Sequence, residues 1–221
     1  MDEGPRFRAR RCSNPDCALR FPVNDGSPLG EACPLCGAQT AFIDAPYTTH
    51  GATCRPDTDV QIEVLLDNIR SLRNVGSVFR SADGAGVAHV HVCGFTPTPE
   101  HPKLAKTALG AEAAVAWTRH ADATSAARSL TEAGARLWIV DGAPEARSVF
   151  DPTVLAAREG GRIVLVFGHE VSGVDPRLHA FAERTICLPM MGVKGSLNVS
   201  VAMGITAYVL RFSGSAENFG G

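Results

Sequence analysis

Apolar residues along positions 60–213 follow two different periods, and stretches of the two kinds alternate. Short runs rich in valine, isoleucine and leucine have the length of buried strands, and amphipathic stretches with helical spacing separate them. Because the connections are short, this pattern predicts an α/β fold with a mostly parallel sheet and helices on both faces. The predicted strands lie in VQIEVLLDNI, AHVHVCG, AAVAWT, RLWIVD, RIVLVF and RTICLP.

Capping residues and turn formers place the predicted helices. Asn74 is the expected cap of a helix that runs to about Asp83, and Asp175 is the expected cap of DPRLHAFA. The last helix, over 197–212, has Ser196 as its expected cap and contains small residues that let a neighbour approach closely. Its expected apolar stripe consists of Leu197, Val201, Ile205, Val209 and Phe212. Two further helices are predicted: a short one that contains Lys103 and Lys106, and one over 122–134 that ends at Gly134.

The composition of the chain changes near residue 45. Residues 1–45 are rich in cysteine, proline, glycine and arginine and show little periodicity, which predicts a small separate module. Residues 46–59 are rich in turn formers and are interpreted as a linker. The main domain is expected over 60–213, with a flexible tail over 214–221.

A formal net charge of −2 excludes a chain that binds polyanions through overall charge alone. The N-terminal arm is nevertheless basic, with Arg6, Arg8, Arg10 and Arg11, and both a solvated chain end and an RNA contact are open for it. No secretion signal is visible, and no apolar run is long enough to span a bilayer. We therefore expect a cytoplasmic location and no membrane partner.

Four of the seven cysteines form two pairs near the N-terminus, Cys12 with Cys17 and Cys33 with Cys36. CPLCG is typical of a zinc knuckle, and the fifteen residues between the pairs could form a hairpin that turns at NDG. Four thiolates suit a closed, structural Zn²⁺ site, and the metal would stabilise a module too small to fold on its core alone. Incidental thiols and two disulfides stay open as alternatives, since the first pair is spaced C-x4-C.

Three segments follow predicted strands, where parallel α/β sheets bind their ligands. NIRSLRNVGSVFR holds Arg70, Arg73 and Arg80 near a helix start, which suits phosphate. VFGHEVSGV leads a strand into Gly168 and Glu170, and PMMGVKGSLNVSVAMG is a glycine-rich bend followed by the small-residue helix. Taken singly, each segment is also explained by a solvated helix face, an ordinary turn or a well-packed core helix.

In this order and spacing, the three segments resemble the three motifs of the SpoU, or TrmH-type, RNA 2′-O-ribose methyltransferases of the SPOUT superfamily. The matching patterns are N-x-G-x-x-x-R from Asn74, G-x-E-x-x-G from Gly168 and LPMMGVKGSLNVSVA from Leu188, and the similarity covers about residues 60–213. The resemblance implies an α/β domain whose C-terminal segment forms a trefoil knot, and a homodimer that packs its knot helices together.

The resemblance also implies S-adenosylmethionine as cofactor and a ribose 2′-hydroxyl as methyl acceptor. By likeness, Gly168, Leu188, Met190 and Leu197 would line the cofactor pocket, and Arg80 would assist the hydroxyl. Because the pKa of arginine is above about 12, orienting the ribose and stabilising negative charge suit Arg80 better than acting as a base. The other implied site residues, which orient substrate and loops, are Asn74, Glu170, Ser196 and Asn198.

The expected substrate is a structured RNA, either tRNA or rRNA. Many relatives carry an RNA-binding domain of the ribosomal L30e type before the catalytic part, and here the cysteine module takes that place. A non-catalytic RNA-binding adaptor on the same fold, and a methyltransferase for a small molecule or protein, stay open as alternatives. Besides the cysteine module, the candidate RNA contacts are Arg6, Arg8, Arg10, Arg11, Arg70, Arg73, Lys103 and Lys106.

Overall fold

A computed structural model describes residues 6–48 and 60–213. The chain divides into two compact units, Met1–Arg55 and Pro56–Gly221. The tail predicted over 214–221, and most of the predicted linker, lie outside the described residues. Among the helices of the described ranges, none combines the length and the apolar character needed to cross a membrane.

The smaller unit is an antiparallel sheet built around one strand. Strand β1 (Arg6–Cys12) pairs with β2 (Arg20–Asn24), β3 (Thr40–Phe42) and β4 (Tyr47–Thr48). The prediction of a hairpin confined to the segment between the two cysteine pairs is wrong. That segment contributes β2, which pairs with β1, and the turn at NDG begins at Asn24, the last residue of β2. Residues 47–48, which were interpreted as part of the linker, form strand β4 of this sheet.

Seven strands form the sheet of the larger unit. They are β5 (Gln61–Asp67), β6 (His89–Cys93), β7 (Trp117–His120), β8 (Arg136–Val140), β9 (Arg147–Ser148), β10 (Arg162–Phe167) and β11 (Ala182–Cys187). Their spatial order is β7-β6-β5-β10-β8-β11-β9, and every neighbouring pair is parallel. One buried apolar cluster lies on each face of the sheet, which explains why the central strands are apolar at nearly every position. The predicted α/β fold is confirmed.

Six α-helices and one 3₁₀-helix accompany the described part of the sheet. They are α1 (Leu72–Gly84), α2 (Ala105–Ala108), α3 (Ala111–Ala114), α4 (Ala123–Glu132), α5 (Pro152–Ala157) and α6 (Val199–Phe212), with the 3₁₀-helix at Pro176–Phe181. The predicted cap of the 3₁₀-helix is confirmed, because the Asp175 carboxylate accepts from the backbone N–H of Arg177. Lys106 lies in α2, whereas Lys103 precedes it, and AAVAWT supplies part of α3 before β7 begins.

Two predicted helix caps are wrong, and in both cases the true cap lies two or three residues away. Helix α1 is capped by Ser71, whose Oγ accepts from the backbone N–H of Asn74 at 3.3 Å. Helix α6 is capped by Asn198, whose Oδ1 accepts from the N–H of Ser200 at 2.9 Å, and not by Ser196. Each segment offers two side chains able to cap, so local pattern alone does not choose between them. Asn74 therefore keeps its side-chain amide for contacts beyond its own helix.

Helix α6 buries a different face from the one its apolar stripe suggests. Val201 and Ile205 are 48% and 36% exposed, whereas Met203, Ala207 and Leu210 are fully buried. The small residues do allow a close neighbour, and that neighbour is α1 of the same chain. A Cβ added at Gly204 would lie 3.3 Å from Ser81 Oγ, which is tighter than usual contact. The helix thus packs its small-residue side inward and presents much of the apolar stripe to solvent.

Candidate active site

One carboxylate ties the second predicted segment to the first. The Glu170 oxygens accept hydrogen bonds from the backbone N–H groups of Arg70 at 2.9 Å and Ser71 at 3.0 Å. They also accept from the side-chain amide of Asn74 at 3.0 Å. Burial raises the pKa of Glu170, but these N–H donors outweigh it and leave the pKa below its usual value. The ionised carboxylate therefore holds the start of α1 against the loop that follows β10.

The third segment joins the same network through asparagine. The Asn198 side-chain amide donates to Asn74 Oδ1 at 3.0 Å, so Asn74 contacts both Glu170 and the cap of α6. Hydrogen bonds thus connect residues that are 96 and 124 positions apart in the sequence. The structure brings Asn74, Glu170 and Asn198 together, as expected if the three segments form one site.

A cavity of about 510 Å³ opens beside this network at the carboxyl ends of β8, β10 and β11. All four residues predicted to bind cofactor, Gly168, Leu188, Met190 and Leu197, line it. Its volume lies in the range typical of pockets for small organic ligands. Glu170, Ser196 and Asn198 are also lining residues.

Gly168 has no room for a side chain. A Cβ there would lie 2.2 Å from the backbone N of Val174 and 2.3 Å from the carbonyl of Gly173. These are backbone atoms of the loop that forms one wall of the cavity, so they cannot rotate away as a side chain would. The glycine is required for the loop to turn back closely on the end of β10.

Asp141 and Gly142 also line the cavity, and they are not among the predicted site residues. They follow β8, next to β10 in the sheet, and the N–H of Gly142 donates to the carboxylate of Asp141 at 2.7 Å. RLWIVD ends in a polar residue directly after a buried strand. The rule that ligands bind at the carboxyl ends of parallel strands was therefore a signal that could have found both residues.

Residues 61–208 match the model of the SpoU rRNA Methylase family, which is more than half of the chain. The chain belongs to this family. It is 34% identical over 145 residues to the 23S rRNA (guanosine-2′-O-)-methyltransferase RlmB of Escherichia coli strain K12. That match covers 66% of this chain and 57% of the relative, so the chain spans little more than half the length of RlmB.

Solved structures of RNA-modifying and other methyltransferases share the fold. The SpoU methyltransferase AviRb from Streptomyces viridochromogenes superposes with a TM-score of 0.61 at 25% identity, over 71% of this chain and 62% of AviRb. An AdoMet-bound rRNA methyltransferase from Sinorhizobium meliloti gives a TM-score of 0.63 at 21% identity, over 80% of this chain and 65% of that one. The sheet and its helices are therefore those of the SpoU fold, and the trefoil knot stays a prediction.

Arg80 stands apart from the network just described. It is exposed on α1 and is not among the residues that line the cavity. Asn74 and Arg80 are six residues apart, so their side chains leave the helix about 120° from each other. Arg73, seven residues before Arg80, shares its side of the helix and is also exposed. The predicted role of Arg80 thus stays a prediction.

The predicted RNA contacts differ in how free they are to bind. Arg10 is 8% exposed, and its guanidinium donates to Thr40 Oγ1 at 2.7 Å and to the Thr40 carbonyl at 3.2 Å. The guanidiniums of Arg8 and Arg10 also lie 4.2 Å and 4.3 Å from the centre of the Phe42 ring. Arg10 is therefore less available to RNA than the other candidates, because the fold of the small unit uses its donors, and its predicted role stays a prediction. The exposed candidates are Arg6, Arg11, Arg70, Arg73, Lys103 and Lys106.

The four predicted metal ligands form one cluster in the small unit. The Sγ atoms of Cys12, Cys17, Cys33 and Cys36 all lie within 4.8 Å of one another. Burial raises the pKa of the Cys33 thiol, but backbone N–H donors from Cys36 and Leu35 lower it to about 7. Four converging sulfur atoms with backbone donors around them fit a tetrahedral zinc ion.

Proposed function

We propose that the chain methylates a ribose 2′-hydroxyl of RNA with S-adenosylmethionine as methyl donor. The observation that carries the proposal is the convergence of the three segments on one cavity through Glu170, Asn74 and Asn198. The similarity to RlmB, a guanosine-2′-O-methyltransferase of 23S rRNA, supports this reaction and favours rRNA over tRNA.

The cavity suits the methyl donor by its size and by its walls. S-adenosylmethionine supplies an activated methyl group on a positively charged sulfur. Gly168, Leu188, Met190 and Leu197 would hold it, largely through backbone groups that the glycine-rich loops leave accessible. The absence of a Cβ at Gly168 lets the loop at Gly173 and Val174 turn back closely on the end of β10 and form this wall of the cavity. The AdoMet-bound relative from Sinorhizobium meliloti supports this assignment.

The polar network would prepare the acceptor side of the site. Glu170 fixes the start of α1, and the Asn74–Asn198 pair locks α1 to α6, so the substrate meets a preorganised surface. In-line transfer of a methyl group depends strongly on such positioning. Arg80 would orient the ribose and stabilise negative charge on its oxygen. Ser196 would contribute a hydroxyl at the cavity wall.

A homodimer would explain two features of α6 and α1. Val201, Ile205 and Tyr208 are 48%, 36% and 45% exposed on one side of α6, an apolar surface that a second copy would cover. Arg80 is exposed on α1, the helix packed against α6, and does not line the cavity of its own chain. We propose that a dimer formed through α6 brings Arg80 to the site of the partner chain.

The small unit would bind one structural Zn²⁺ through its four cysteines and present Arg6 and Arg11 to RNA. We place the protein in the cytoplasm, where an RNA substrate is available to it. The substrate itself is tested by methyl transfer from labelled S-adenosylmethionine to rRNA and to tRNA, purified separately.

The variant Arg80→Ala tests the reaction. Because Arg80 would act on the ribose and not on the methyl donor, the variant should bind S-adenosylmethionine normally and lose at least about 100-fold in methyl transfer. Arg128→Ala, an exposed arginine on α4 away from the cavity lining, should keep both properties. Binding of the donor by the wild-type chain without transfer to any RNA would refute the reaction and favour a non-catalytic adaptor.

A further inference from the structure

Three histidines lie on one face of the sheet, away from the cavity. His89 and His91 are two residues apart on β6, so both side chains point to the same face. His120 ends β7, and its register partner is Cys93, which shares that face with His91. The three imidazoles thus occupy adjacent positions on two parallel strands at one end of the sheet.

The rings are close enough to share a ligand. His91 Nδ1 lies 3.0 Å from His120 Nε2, and the ring centres are 5.2 Å apart. The His89 ring centre lies 4.6 Å from that of His91, and its Nε2 is 2.9 Å from the hydroxyl of Thr118. At present the three imidazoles bond to one another and to protein groups without meeting at a single point.

A buried carboxylate orients the central ring. His91 Nε2 lies 3.1 Å from Glu63 Oε2, and the two side chains are only 9% and 10% exposed. With its proton on Nε2, His91 donates to Glu63 and has its lone pair on Nδ1, facing His120. A histidine that donates to a carboxylate through one nitrogen is the usual arrangement of a metal ligand.

We propose that His89, His91 and His120 form a binding site for a divalent transition-metal ion of the zinc, cobalt or nickel class, with Glu63 as the carboxylate that orients His91. Imidazole nitrogens are the preferred ligands of these ions. With metal–nitrogen bonds of about 2.0–2.1 Å, the 3.0 Å separation of the His91 and His120 nitrogens corresponds to an angle of about 90° at the metal. His89 completes the site by turning from Thr118 towards the other two rings.

The cluster can be reached from solvent. His89 and His120 are both partly exposed, so an ion can reach the site from solvent. The site is independent of the proposed methyl transfer, because none of its residues lines the cofactor cavity.

The test counts metal ions on the full, untagged chain. After dialysis against excess Zn²⁺, elemental analysis should find one more equivalent on the wild-type chain than on His120→Ala, and the same difference for His89→Ala. His101→Ala, which alters an exposed histidine outside the cluster, should bind as the wild type does. Using the difference between variants keeps the result separate from whether the cysteine site is loaded.

Cobalt distinguishes the two sites by spectrum. The double variant Cys33→Ser with Cys36→Ser should still bind one Co²⁺, without the intense sulfur-to-cobalt band that a cysteine site produces. Both histidine variants should unfold near the wild-type temperature when metal is absent, because they alter partly exposed side chains. Equal metal content in the wild-type chain and His120→Ala, or no Co²⁺ on the double-cysteine variant, would overturn the proposal.

Discussion

Gly168 offers the sharpest test of the cavity, because its neighbours are backbone atoms. In Gly168→Ala the new Cβ would lie 2.2 Å from Val174 N and 2.3 Å from the carbonyl of Gly173, whereas ordinary contact begins near 3.4 Å. The loop wall must therefore move by about 1 Å. Forced overpacking of this kind costs about 1–3 kcal/mol.

That cost should appear mainly as lost affinity for the methyl donor. If the loop relaxes outward, the cavity wall leaves its binding position, and a loss of about 1–3 kcal/mol corresponds to about 5- to 150-fold in dissociation constant. Isothermal titration of S-adenosylmethionine into the purified chain measures it directly. A thermal melt without ligand separates lost affinity from lost folding.

Gly142→Ala is the matched control. Gly142 lines the same cavity, but a Cβ there would meet nothing closer than the Gly195 carbonyl at 3.9 Å, an ordinary contact. We expect less than about a twofold change in affinity for this variant. If Gly168→Ala binds the donor as the wild type does, or if both variants weaken binding equally, the steric reasoning is wrong.

Three other residues give independent tests. Glu170→Gln should lower the melting temperature at pH 7. Because the pKa of Glu170 is depressed in the folded state, the ionised carboxylate stabilises the fold above about pH 4.3, and this stabilisation is lost as the pH falls through the folded-state pKa. The difference in melting temperature between the variant and the wild type should therefore vanish in acid. Ile205→Asp should shift the chain from dimer to monomer in sedimentation, while an unchanged mass would refute the α6 interface. Cys36→Ser should make residues 6–48 sensitive to protease while the larger unit resists, and equal resistance of both units would contradict a zinc-dependent fold.

The strands were predictable because a strand that is buried on both faces of the sheet is apolar at nearly every position of its sequence. A parallel strand such as RIVLVF has no polar alternation, and the structure buries five of its six residues. Helix ends were less predictable. SLRN and SLN each contain two side chains that can cap, and the local pattern does not choose between them. Asn74 leaves the cap to Ser71 and contacts Glu170 instead.

Most of the predicted site residues line the cavity or join its network, whereas Asp141 and Gly142 were missed and the role of Arg80 stays a prediction. The connections could not be predicted, because nothing local in the sequence indicates that Glu170 accepts from backbone donors 99 and 100 positions earlier. Arg10 shows the opposite case. Its charge suggested an RNA contact, but charge alone does not reveal that the Arg10 guanidinium donates to Thr40 and lies over the ring of Phe42.

Helix α6 shows why an apolar stripe does not by itself identify the buried side of a helix. Its inward side is set by close approach, because Gly204 faces Ser81 and Gly84 of α1 faces the Tyr208 hydroxyl. The side of α6 that carries Met203, Ala207 and Leu210 is buried, and Val201 and Ile205 are left on the outside. An apolar surface of that kind is stable in water chiefly when another surface covers it. The apolar stripe of α6, which wrongly suggests the buried side of the helix within one chain, is therefore best explained as an interface between two chains.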